Sequence, residues 1–172
     1  MRSFSISRQH LILLGILLLV ALSSRFQIPS IDARAEALDA FLATMPEPVL
    51  LADKTNRSLV FMNASDHPHI LTEFAERNAL PKDLMKQVFE LPEGEPVPSG
   101  LRRAELIGEE HLLEVGQRTV MSITPIALKE DQTEALFGAV YSSSNTVEVR
   151  VLVVWVRQEN GVWVVHKVAR ML

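Results

Sequence analysis

Asp66-His67-Pro68-His69 sets a carboxylate and two imidazoles side by side. These groups suit zinc, copper or nickel. The spacing argues against a shared ion, because two histidines separated by one residue at a helix entry point apart. Asp66, His67 and His69 are therefore metal-ligand candidates with a competing structural role. In that role Ser65 or Asp66 caps a helix, Pro68 occupies its first turn, and the imidazoles face water.

Glu109-Glu110-His111 offers carboxylates and an imidazole for acid–base work, which requires a cleft that shifts their pKa values. A charged strand entry is the favoured reading of the three residues. His166 alternates with Val164 and Val168, so it is expected on their sheet face. Tyr141, Arg150 and His166 are the polar groups expected to line a ligand pocket, if a pocket opens between helices and sheet. Trp155 and Trp163 flank Asn160-Gly161 and are expected to pack across a hairpin. Ser142-Ser143-Ser144 lacks the G-x-S-x-G setting of a nucleophile elbow and reads as a turn. No phosphate loop, dinucleotide fingerprint or H-E-x-x-H pattern occurs. No catalytic residue and no cofactor is implied.

The elements that must position these residues begin with a leader. Leu11–Leu22 is an unbroken apolar run behind Arg2, Arg8 and His10. As a helix rising about 1.5 Å per residue it covers about 18 Å, against about 30 Å for a bilayer core. That length suits the core of a signal peptide. Leu11, Leu14, Leu18 and Leu22 mark the segment that enters the membrane, whether it is cleaved or stays as an anchor. Ala21-Leu22-Ser23 and Ala33-Arg34-Ala35 supply small residues at the spacing a signal peptidase requires. Residues 1–30 are thus read as signal peptide or anchor, and 31–172 as one exported domain. Its expected site of action is periplasmic or otherwise beyond the membrane.

Residues 1–35 hold four of the 17 basic residues and one of the 21 acidic ones, so the remainder carries a net charge of −7. An anionic domain is poorly suited to nucleic acid or anionic lipid. The chain has no cysteine, which excludes disulfides, thiol catalysis, zinc ribbons and a lipidated cysteine anchor.

Within the domain, Ile31–Met45 reads as a helix capped by Asp32. Its apolar stripe is Ala35, Leu38, Phe41, Leu42 and Met45, and Pro46 and Pro48 end it. Val49–Ala52 and Ser58–Met62 read as a hairpin. Two helices follow, one with Ile70, Leu71, Phe74 and Ala75 on its face and the other with Leu84, Met85, Val88 and Phe89. Asn78 ends the first and Pro81 opens the second. The Pro- and Gly-rich loop 92–100 joins a helical half, 31–91, to a β half, 101–172.

Strands are expected at Leu112–Val115, Thr119–Leu128, Ala135–Ser142, Val147–Val156 and Val162–Val168. Pro125 predicts an edge or a bulge. Val147–Val154 begins with alternating polarity and becomes apolar, as a strand covered on both faces does. The expected fold class is α+β, with helices packed on one face of an antiparallel meander. The closing hairpin, VLVVWVRQENGVWVVHKV, resembles the end of small exported α+β domains, including cone-shaped folds of the cystatin and nuclear-transport-factor type. That resemblance implies no site residue.

Two functions fit these readings. One is a non-catalytic exported or tethered domain that binds a protein partner or serves as accessory subunit of a membrane complex. The other is a cone-shaped ligand-binding protein or small enzyme with a pocket between helices and sheet. A partner protein, and the membrane through the leader, are the implied contacts; nucleic acid is not.

Overall fold

A short apolar strand, VLLA, organises the domain. In the computed structural model, which describes residues 32–57, 61, 68–108, 111, 119–142 and 149–171, β1 (Val49–Ala52) is buried along its whole length. It pairs in parallel with β2 (Ala104–Ile107) on one side and with β3 (Val120–Ile123) on the other. A continuous apolar run is what a parallel strand covered on both faces requires. Both edges of β1 are occupied, so the hairpin expected between Val49–Ala52 and Ser58–Met62 does not form. The Phe61 N–H instead donates to the Arg57 carbonyl at 2.8 Å; the rest of the expected second arm, residues 58–60 and 62, lies outside the described residues.

The rest of the sheet is antiparallel. β4 (Ala127–Leu128), β5 (Glu134–Ser142), β6 (Val149–Glu159) and β7 (Val162–Met171) complete the order β2-β1-β3-β5-β6-β7, with β4 beside β5. The sheet is mixed, and the expected wholly antiparallel meander is corrected by the parallel pairing of β1. The physical reason lies in the connection from β1 to β2. It contains two helices, α2 (Pro68–Arg77) and α3 (Lys82–Glu90), and is long enough to return the chain in the same direction. The Thr119–Leu128 run splits into β3 and β4 at Thr124-Pro125-Ile126, as Pro125 predicts.

Helices cover both faces of the sheet, not one. α1 (Ala33–Leu42) lays Leu38, Phe41 and Leu42 over Leu51, Ile123, Phe137, Val154 and Trp163. Asp32 caps it, accepting from the Arg34 N–H at 3.0 Å. Ala37, rather than Ala35, completes its buried face. On the opposite face α2 and α3 bring Leu71, Ala75, Leu84 and Val88 against Ala127, Leu136, Val153 and Ala169. β6 shows why: Leu152, Val154 and Val156 face α1, whereas Val151, Val153 and Trp155 face α2 and α3. Two apolar faces cannot be satisfied by one helical layer. Each large side chain so buried contributes about 1.5–3 kcal/mol.

Asn160 and Gly161 both have positive φ, 53° and 78°, the geometry of the tight hairpin between β6 and β7. β7 then carries a bulge. Lys167 pairs with Trp155 and Val165 with Val156, leaving His166 as the extra residue. Trp163 packs toward α1 and Trp155 toward α2 and α3, so the expected cross-hairpin Trp pair is not made. Leu112–Val115, Glu109, Glu110, Asp66, His67 and the leader with Leu11, Leu14, Leu18 and Leu22 lie outside the described residues.

Candidate functional site

The segment after β1 is held by the loop that separates α3 from β2. Val97 N–H donates to the Asp53 carbonyl, Thr55 N–H to Glu95, and Gly94 N–H to Thr55, each at 2.9 Å. Lys54 and Pro96 form an antiparallel bridge. On the other side Asn56 N–H donates to the Ile123 carbonyl at 2.8 Å. Gly94 takes φ +79°, which the turn into this bridge demands and which glycine adopts without steric cost. Arg57 secures the far end of the loop. Its guanidinium donates to the Phe89 carbonyl, meets the Glu93 carboxylate at 3.5 Å, and lies 6.0 Å from the Phe89 ring centroid.

This bracing frames a groove of about 400 Å³. Its lining comprises Leu91, Pro92, Glu95, Pro96 and Pro98 from the loop, and Pro125 and Ile126 from the β3–β4 break. Thr55, and Asp32 and Arg34 from the start of α1, complete it. Thr55 is only 5% exposed, and its hydroxyl has no hydrogen-bond partner. Burying a hydroxyl without a partner costs about 1–3 kcal/mol by mutational measure. Among the described residues it is the one buried side-chain polar atom left unsatisfied.

A second groove, about 430 Å³, runs along α1 beside Arg102, Arg103 and Trp163. Its polar groups are engaged with one another. Asp39 accepts from the Arg102 N–H at 3.0 Å and meets its guanidinium at 3.3 Å. Arg103 donates to the carbonyls of Ala43 and Pro46, at 3.2 and 3.4 Å. Trp163 Nε1 donates to Glu36 Oε2 at 3.1 Å. These bonds tie α1 to the approach of β2 and to the β6–β7 hairpin.

The residues singled out by the sequence are dispersed. Arg150 donates to the Tyr141 hydroxyl at 3.3 Å, on the α1 side of the sheet. His166 lies on the other side, exposed, with its ring 4.4 Å from that of Trp155 in an edge-on contact. The expected trio is therefore not brought together. His69 is exposed on the first turn of α2. His111 is exposed, its N–H donating to the Gly108 carbonyl at 2.9 Å. Among the described residues no group of three or more His, Asp or Glu could hold a metal ion. Nor, among them, is any helix long and apolar enough to cross a membrane.

Shifted pKa values belong to an exposed turn. The Thr133 hydroxyl and N–H bonded to Asp131 lower its carboxyl, and the hydrogen bond and charge of Glu134 raise Lys129. The sequence reading missed Thr55 and Glu95, which it placed in a hairpin loop and a join. The available signal was the density of proline across Pro92–Pro98, set against a strand with no polar residue. Comparison with protein-family models, curated proteins and solved structures finds no match.

Proposed function

We propose that this is an exported or membrane-tethered domain that binds a protein partner, as an accessory subunit of a membrane complex, through the groove between Thr55, the 91–98 loop and the start of α1. The observation that carries the reading is the buried, unpartnered Thr55 hydroxyl in that groove. A native structure tolerates such a group where a ligand or function repays it. The Leu11–Leu22 leader supports the location: in this reading it delivers the domain beyond the membrane and, if retained, tethers it there.

The test places a photo-reactive benzoylphenylalanine at exposed Pro96 of the full chain in its native host, with the same group at exposed Ile70 of α2 as control. Illumination should yield a discrete protein adduct from position 96 and none from 70. Equal yields, or no adduct from 96, contradict the reading. Fractionation with N-terminal sequencing of the accumulated chain settles the tether: an intact chain in the membrane fraction is the anchored form, and a soluble product beginning near Ser24 is the cleaved one.

A further inference from the structure

The chemistry of the groove selects its occupant. Four of its lining residues, Pro92, Pro96, Pro98 and Pro125, have no backbone N–H. Its other polar groups are the carboxylates of Asp32 and Glu95, the Thr55 hydroxyl and the Arg34 guanidinium. The side chains therefore carry a net charge of −1, and the lining is rich in acceptors and short of donors. An anion or a carbonyl-rich ligand would find one guanidinium to bind it and two carboxylates to repel it. A ligand that brings donors and positive charge matches instead. The apolar part of the lining, Leu91, Ile126 and the proline rings, suits the hydrocarbon stem of such a side chain.

Resting on the partner-binding reading, we infer that the groove takes a lysine or arginine side chain presented by an extended segment of the partner. The stem lies along the prolines, and the cationic head donates to Glu95 and Asp32. Thr55, which lines the same groove, offers its unpartnered hydroxyl as a further acceptor. Arg34, exposed in the same lining, donates to carbonyls of the incoming backbone. The −7 charge of residues 36–172 favours a basic partner at long range as well.

The experiment uses the full chain in a mild detergent and fluorescence anisotropy with labelled, capped pentapeptides. Each has leucines flanking a central arginine, citrulline or glutamate. Charge-assisted hydrogen bonds predict that the arginine peptide binds at least about tenfold more tightly than its citrulline counterpart. Glu95→Gln should weaken the arginine peptide about three- to tenfold and leave the citrulline peptide unchanged. Asp32→Asn, which retains a helix cap, should add to that loss. A urea midpoint equal to that of the parent protein shows that each variant is folded.

Several results overturn the inference: equal binding of the citrulline or glutamate peptide, indifference of the arginine peptide to Glu95→Gln, or absence of binding at about 1 mM peptide. Spermidine that binds tightly where the arginine peptide does not assigns the groove to a free polyamine and also overturns it. Failure here is distinguishable from failure of the partner reading. An adduct from position 96 that persists in Glu95→Gln, with no preference for arginine, leaves a partner at the groove and removes the cation.

Discussion

The Gly138 N–H donates to Thr124 Oγ1 at 2.8 Å, and the Thr124 N–H donates back to the Gly138 carbonyl at 3.0 Å. Thr124 is fully buried, and its hydroxyl also donates to the Pro125 carbonyl at 2.9 Å. One side chain thus bridges the break between β3 and β4, where proline cannot supply a ladder bond. The same clasp fixes Pro125 and Ile126, which wall the groove.

Thr124→Val keeps the shape and removes both bonds. It leaves the Gly138 N–H buried without an acceptor, at a cost of about 1–3 kcal/mol. Urea unfolding should show that loss. A variant of unchanged stability would mean that the break needs no clasp.

Ala79 ends α2 in the left-handed region, with φ 48°. Leu80 N–H donates to the Ala75 carbonyl at 2.9 Å and Ala79 N–H to Glu76 at 3.0 Å, the paired bonds of a helix stop that favours glycine. Ala79→Gly removes the Cβ strain and should raise stability by about 1 kcal/mol, net of the entropy glycine adds to the unfolded chain. Thermal unfolding checks the sign.

Phe137 is fully buried on β5 and meets the Phe41 ring edge-on, with centroids 5.7 Å apart. It joins α1 to the centre of the sheet. Phe137→Ala should cost about 3–5 kcal/mol. The loss should appear in protection of α1 amides from hydrogen exchange as well as in the global unfolding midpoint.

Asp131 accepts from the Thr133 hydroxyl at 2.6 Å and from its N–H at 3.0 Å. Its carboxyl therefore titrates below the ordinary aspartate range. A lowered folded pKa contributes stability that is present above the unfolded value and is lost as pH falls through the folded one. Lys129, raised by Glu134, acts in the opposite sense: its contribution is full below the ordinary lysine value and is lost as pH rises through the higher folded one. Carboxyl NMR titration should give Asp131 a midpoint below that of its Thr133→Val variant. Both groups are exposed, so their effect on stability is small.

Legibility in the sequence followed the range of the physics. The Asp32 cap, the Asn-Gly turn, the Pro125 interruption and the apolar face of the second helix after Pro68 depend on neighbours in sequence and are present; the first helix packs Leu71, Phe74 and Ala75 as expected but leaves Ile70 45% exposed. The two-sided burial of β6 was also legible in its change from alternating to continuous apolar residues. β1 was misread because four apolar residues fit a hairpin arm as well as a central parallel strand, and only pairing partners over fifty residues away decide between them. The His166 bulge shows the same limit. Alternation gives faces only while the register holds, and one extra residue moved Val168 to the opposite face. The groove depends on three segments distant in the chain, so Thr55 carried no local signal.

In the proposed function the Thr55 hydroxyl is kept for binding at the expense of stability. Thr55→Val replaces it with a methyl of similar shape and ends the unsatisfied burial. Urea midpoint and affinity for the arginine peptide, measured on one preparation, should move in opposite directions: stability up by about 1 kcal/mol, binding down. A variant that is less stable while binding the peptide as before would contradict the account.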